Sequence, residues 1–442
     1  MAGGTFTVQN KVRPGVYINF KSEAKPLGNL GERGIAAFPA PLPWGKNGIT
    51  VLESGTYMEQ ALSQIGFRPT DSRIRHITAA MAHASKLLIY RIGAAGGKKA
   101  AGTVGNLTAT AKYAGTRGND LQVVVQPNMD QPGAFDVQTL LDGEEVDLQT
   151  VTQAEELAAN GFIDFKGTGT IAETAGLLLE GGTDGTGTAG EYADAFVAFE
   201  AEEFNVLGVP VTDSAIKQLA VAFTKRLREE EGNKIQTVLH DYPGADYEGV
   251  ISLKNSVITS DGMTVDPVHL LWEIAAMEAA ADVNESLTYA AIPNAVDVSP
   301  KYTHSEIVRA LSNGEMVLSA SNGQAVIEQD VNTLKSFTPQ KDKKFSKNRV
   351  VRVLDATAND IRKIFSKSYI GKIDNNADGR NLLKGEVIAY LERLQGLGAI
   401  QNFDSQTDLQ VLPGDDVDAV MISLAVQPVD SPEKIYMNVT VK

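Results

Sequence analysis

Two stretches near opposite ends of the sequence alternate apolar and polar residues with a period of two. Ile435, Met437, Val439 and Val441 share one face against Tyr436, Asn438 and Thr440. Val16, Ile18 and Phe20 do the same against Tyr17 and Asn19, and Phe6 and Val8 begin a similar pattern upstream. That period lines one face of an extended strand and cannot line a helix, whose faces recur every 3.6 residues. Both stretches are set off by turn formers, Pro14-Gly15 and then Pro428 with Asp430-Ser431-Pro432. A strand that leaves the body of a fold carries unpaired N–H and C=O groups, an edge that monomeric proteins blunt. These strands must therefore close onto the chain's own sheets or pair with another molecule.

Between the two ends the pattern changes three times. A Gly/Pro-rich stretch runs from Lys25 to Asn47; helical spacing follows at Ile74–Lys86, and a short apolar strand at Leu87–Ile92. From Lys98 to Gly185 the chain is rich in Thr, Gly, Val and Asp. Its strand-like runs Leu107–Lys112, Leu121–Gln126 and Ala134–Leu141 are separated by turns such as Gly118-Asn119 and Asp142-Gly143, as in a small β-sandwich or barrel. From Glu191, strands predicted at Asn205–Pro210, Ile235–Asp241, Gly249–Lys254 and Leu287–Ile292 alternate with helices at Ser214–Glu231 and from Asp266 through Asp282. Alternation of that kind builds a mostly parallel sheet covered by helices. Asp266-Pro267 supplies an N-cap followed by proline at the first helical position. Past Thr338-Pro339, helices are expected at Ala356–Tyr369 and Leu382–Leu394, and a strand in which Val420, Ile422, Leu424 and Val426 share a face. The expectation is an α+β multidomain protein: a central α/β domain with a helix-covered sheet (21–97 plus 186–335), an inserted small β-sandwich domain (98–185), and an α+β C-terminal domain (336–428). Extended terminal arms (1–20 and 429–442) flank these domains.

The net charge of −15 is unevenly spread. Asp130 to Glu203 holds seventeen acidic residues and one basic residue, Lys166, whereas Lys341 to Lys372 holds ten basic and three acidic. A strongly acidic total argues against nucleic acid, which needs a basic footprint. The absence of cysteine excludes disulfides, thiolate metal sites and a cysteine nucleophile. With no signal-like start and no apolar run near the ~20 residues that cross a bilayer, a soluble protein is expected.

Three motifs imitate ligand sites. Gly185-Thr-Gly187-Thr-Ala-Gly190 spells a dinucleotide fingerprint but lies among acidic residues and further glycines, and Gly167-Thr-Gly169-Thr-Ile-Ala172 nearly does. Gly93-Ala-Ala-Gly-Gly97-Lys98 resembles a phosphate loop one residue short, with Lys99 where a hydroxyl would hold Mg²⁺. Asp374-Asn-Asn376-Ala-Asp378-Gly379 begins like a calcium loop, but its twelfth position is Gly385 and Glu386 comes one residue late. The histidines His76, His83, His240, His269 and His304 show no metal-ligand or catalytic spacing. No catalytic residue, cofactor or metal site is expected.

Several segments carry a family likeness. Tyr113-Ala-Gly115-Thr-Arg-Gly118-Asn119-Asp120-Leu121 resembles the opening of the small β-domain of contractile phage tail sheath proteins, and Gly181-Gly-Thr-Asp184-Gly185 is similar to its return linker. Phe345-Ser-Lys347-Asn-Arg349-Val-Val-Arg352-Val-Leu-Asp355, Tyr369-Ile-Gly371-Lys372 and Ala425-Val-Gln427-Pro428 resemble the C-terminal sheath domain. The likeness is nearest to sheaths of Gram-positive myophages, prophages and R-type bacteriocins. It implies a polymer of stacked hexameric rings around an inner tail tube, capped by baseplate and tail terminator proteins and assembled in the bacterial host cytoplasm. Neither nucleic acid binding nor membrane insertion is implied.

The same likeness makes Val16, Ile18, Phe20, Ile435, Met437, Val439 and Val441 the subunit-linking arms. Val420, Ile422, Leu424 and Val426 become the receiving strand. Adding one strand of this length forms about 3–6 hydrogen bonds, each worth about 0.5–1.5 kcal/mol net. Each large apolar side chain buried adds about 1.5–3 kcal/mol. Within the basic stretch, Lys363, Lys367 and Lys372 are the expected contacts to an acidic tube.

Overall fold

The computed structural model describes residues 2–4, 15–17 and 31–441, with backbone alone before residue 31. These residues divide into two compact units. One combines Gly31–Asn359 with residues 428–441, the other residues 2–4 and 15–17 with Asp360–Gln427.

The larger unit is built on a seven-stranded sheet. Its order is Glu315–Met316, Val250–Leu253, Gln236–His240, Val206–Gly208, Ile35–Pro41, Lys86–Ile92 and Gly48–Glu53. All neighbours are parallel except Gly48–Glu53, which runs antiparallel to Lys86–Ile92. Side-chain alternation splits the core in two. Ala36, Phe38, Leu87 and Ile89 face helices Tyr57–Ile65, Arg75–Met81 and Pro267–Ala280, whereas Ala37, Leu88, Leu207 and Leu239 face helices Ala189–Glu200 and Ser214–Glu229. A sheet covered on both faces needs near-continuous apolar strands, which is how these segments read. Helix Pro267–Ala280 is buried along the whole run Leu270–Ala279, and its Trp272 stacks on Phe38 with ring centroids 4.0 Å apart. The Asp266 carboxylate accepts from the Val268 N–H and caps that helix as expected.

The inserted domain is a sandwich of a four-stranded and a three-stranded sheet. Leu107, Ala109 and Ala111 of one sheet pack against Leu121, Val123, Val125 and Val137 of the other. Strands Leu107–Ala111, Leu121–Pro127 and Phe135–Leu141 lie where period-two spacing placed them.

Three local expectations need correction. Leu287–Ile292 is not a strand: Ala290 N–H donates to the Leu287 carbonyl, Tyr289 has φ of 62°, and the strand forms at Ala295–Ser299. The helix expected over Ile74–Lys86 ends at Met81, and the chain turns at Ala82–Ser85 to enter strand Lys86–Ile92. The Gly/Pro-rich stretch hides the central strand Ile35–Pro41. Its Pro39 and Pro41 lack an N–H, but only Ala36 and Ala37 pair with Val206–Leu207, so the prolines lie beyond that ladder.

In the smaller unit, helix Ala377–Gly396 buries Leu383, Val387, Tyr390, Leu391 and Leu394 and packs on strand Leu409–Pro413. That strand pairs antiparallel with Val420–Leu424, in register from Leu409↔Leu424 to Pro413↔Val420. Helix Asn348–Ser368 starts in the larger unit and ends in the smaller. Its Asp360 accepts a buried 3.0 Å hydrogen bond from the Tyr390 hydroxyl. The backbone of Gly15–Tyr17 pairs in parallel with Ala2–Gly4.

Candidate assembly interface

The C-terminal arm is clasped to the larger unit at Glu433. The Glu433 carboxylate accepts hydrogen bonds from the Thr288 hydroxyl at 2.8 Å, the Gln329 amide and the Lys347 ammonium. Burial pushes this carboxyl up, but those three donors outweigh it and hold it below its ordinary 4.5. Beyond this clasp, residues 434–441 take no helix or strand, and Ile435, Met437, Val439 and Val441 are 76–91% exposed. These four large apolar side chains lie open to water, as does Tyr436 among them at 90%.

The expected receiving strand is the Val420–Leu424 strand, and Val426 falls just past its end. Among the described residues its sheet has two members, so each strand keeps an unpaired outer edge. A free strand edge carries unpaired N–H and C=O groups that a further strand can satisfy. On the N-terminal side, Val16 is described through its backbone only, paired with Gly3. Ile18, Phe20, Phe6 and Val8 lie outside the described residues.

The basic stretch is not one solvated face. Arg352 is buried against Glu278, Lys347 holds Glu433, and Lys341 reaches Glu248 at 2.5 Å. Periodicity along one helix carried no signal for these partners, which come from distant segments. Lys363, Lys367 and Lys372 are exposed, the first two on helix Asn348–Ser368 and the third in the turn after it.

The glycine motifs have a structural role. Lys98 and Thr183 exchange two backbone hydrogen bonds, and a Cβ on Gly185 would lie 2.1 Å from the Gly93 carbonyl oxygen. The strands that enter and leave the sandwich therefore cross backbone to backbone, which requires glycine. In the calcium-like loop, Asn376 caps helix Ala377–Gly396 by accepting from the Gly379 N–H. His76 and His269, far apart in sequence, stack at 4.5 Å, and burial together with His269 holds His76 at about 3. Among the described residues no group of three or more His, Asp or Glu is placed to hold a metal, and no helix is long and apolar enough to cross a membrane.

Comparison with known proteins identifies the domains. Models of the phage tail sheath protein β-sandwich domain, central domain and C-terminal domain match residues 95–184, 185–333 and 340–442. Phage-like element PBSX protein XkdK of Bacillus subtilis is 38% identical, with all of both chains aligned. A sheath tail protein from Desulfitobacterium hafniense is 50% identical with a TM-score of 0.86, over 97% of this chain and 100% of that one. The contracted helical sheath of the anti-feeding prophage shares the fold at 13% identity, with a TM-score of 0.58 over 97% and 99% of the two chains. Three successive sheath domains and full-length relatives of this identity lead to one conclusion: the chain belongs to the phage tail sheath protein family, as a structural subunit of a contractile tail sheath and not an enzyme.

Proposed function

We propose that this subunit polymerises as stacked hexameric rings around an inner tail tube, linked by strand exchange through its two arms. The observation that carries this reading is the exposure of Ile435, Met437, Val439 and Val441, together with a sheet that has only two strands among the described residues. Residues 1–20 and 429–442 act as tethers to neighbouring subunits, and the bodies between them turn. Head-to-tail contacts of this type do not close on themselves and generate a helical lattice.

Contraction runs without nucleotide hydrolysis. The extended lattice is metastable, and a few kcal/mol released per subunit adds up along the tail to drive the tube through the target envelope. Partners are other copies, the tube, and the baseplate and terminator at the ends, with assembly in the host cytoplasm before release of the particle. Lys363, Lys367 and Lys372 meet an acidic tube surface.

Deleting the last ten residues tests the central claim. Loss of tubes in negative-stain micrographs, with the subunit still folded, is the expected result; tubes that grow as before would refute strand exchange. Changing Lys363, Lys367 and Lys372 to Glu is expected to abolish extended sheaths on the tube, and unchanged sheaths would remove the tube contact.

A further inference from the structure

At the Val420 end of strand Val420–Leu424 lies a cavity of ≈ 290 Å³, whose lining joins apolar Phe365, Tyr369, Ile370, Ile373, Leu383 and Val420 to the charged Asp374, Arg380 and Asp418. Its size falls just under the ~300 Å³ at which small-molecule sites begin, and suits one or two large aliphatic side chains. The cavity is framed. The rings of Phe365 and Tyr369 stack with centroids 6.2 Å apart, and the Asn375 amide donates to the carbonyls of Val417 and Ala419 at 2.9 and 2.8 Å. Arg380 in turn donates to the Asn375 side-chain oxygen at 3.0 Å. Ile370 and Ile373, both lining it, are 58% and 41% exposed.

We propose that this cavity is a register pocket that takes an apolar side chain from the C-terminal arm of a second copy of this chain. The inference rests on the strand-exchange reading above and goes beyond it by naming what fixes the strand's register. Backbone pairing along an edge is nearly indifferent to a slip, whereas a slip of one residue turns every side chain to the other face. Val420 is the residue of strand Val420–Leu424 that lines the cavity, so a strand added along it meets the cavity at the Val420 end. The arm supplies Ile435, Met437, Val439 and Val441 with a period of two. Charge agrees with the same occupant: the turn before Val420 carries Asp415, Asp416 and Asp418, and the arm is bracketed by Lys434 and Lys442.

The natural chain has no cysteine, so introduced pairs report unambiguously. Ile373→Cys is combined in turn with cysteine at Ile435, Tyr436, Met437, Asn438 and Val439, and assembled particles are oxidised and run on denaturing gels. A covalent ladder is expected from one or more of positions 435, 437 and 439, several-fold stronger than from 436 and 438. A ladder of even strength, one led by 436 or 438, or none from assembled tubes overturns the pocket. Ile373→Glu, at an exposed position that the fold tolerates, is expected to stop tube growth; normal tubes from this variant also overturn the pocket. Normal tubes from a chain ending at Asp430 would defeat strand exchange itself. Tubes lost on that truncation, with no ladder at Ile373, would defeat the pocket alone.

Discussion

Arg352 and Glu278 form an ion pair of 2.6 Å inside the larger unit, with 1% and 0% of their side chains exposed. Asp330 lies 3.6 Å from the same guanidinium, and the Asn348 amide donates to Asp330 at 2.7 Å. The cluster joins the start of helix Asn348–Ser368 to helix Pro267–Ala280 and to the segment around Asp330. One turn further along, Asp355 accepts two parallel hydrogen bonds from Arg228, at 2.6 and 2.8 Å. Buried pairs of this kind contribute little net stability but are expensive to break, so they hold one geometry.

Arg352→Met is expected to destabilise the larger unit by about 3–5 kcal/mol, because two acidic groups are left without their cation. Urea midpoints of the variant and the natural chain measure this. Adding Glu278→Leu to Arg352→Met should recover part of the loss, since the double variant strands one buried carboxyl fewer. A double variant weaker than the single would contradict the account.

The same cluster makes stability depend on pH. Burial, and after it the neighbouring Asp330, push the Glu278 carboxyl above its ordinary 4.5, while Arg352 opposes them. Over the interval between its unfolded and folded values the folded chain keeps a proton that the unfolded chain has lost. The stabilisation is therefore complete below 4.5 and is lost as pH rises through the raised folded value. Urea midpoints should decline as pH rises above 4.5, and Glu278→Gln should flatten the decline.

Gly185→Ala should weaken the junction between sandwich and sheet. The new methyl would meet the Gly93 carbonyl oxygen at 2.1 Å and the Gly96 Cα at 2.9 Å, both backbone atoms that cannot rotate away. Overpacking of this kind costs about 1–3 kcal/mol. Gly55→Ala, with nothing within 4 Å, is the matched control and should change stability little. Thermal melts of the two variants side by side decide it.

Much of this fold was legible because its elements are long enough for their periods to be counted. Helix Ser214–Glu229 and three of the seven sandwich strands were read to within two residues, and the capping Asp266 was read directly. Ile35–Pro41 was not legible: its two prolines read as loop, and only the short partner Val206–Gly208 makes them tolerable in a central strand. Of the assembly surface, the arm's alternation was visible, whereas the Glu433 clasp was not. Thr288, Gln329 and Lys347 lie 86 to 145 residues away, and no local pattern links them. The cavity beside Val420 was hidden for the same reason, since helix ends and a hairpin meet only in the fold.

Glu433 is the last residue of the arm held by the larger unit, and its removal should change mobility more than folding. In Glu433→Ala the Thr288, Gln329 and Lys347 donors lose their acceptor, a loss of about 1–3 kcal/mol in a fold whose main core is untouched. The main unfolding transition should therefore move little. Trypsin, however, should cut after Lys434 faster, because the peptide must detach from this clasp to enter the protease. Acid should mimic the substitution. Glu433 titrates below its ordinary 4.5, so its contribution is complete above 4.5 and is lost as pH falls through its lower folded value. Hydrogen exchange over residues 428–434 should accordingly rise in the natural chain under acid and be fast at every pH in Glu433→Ala. Equal exchange in the two proteins at neutral pH would show that the arm is held elsewhere.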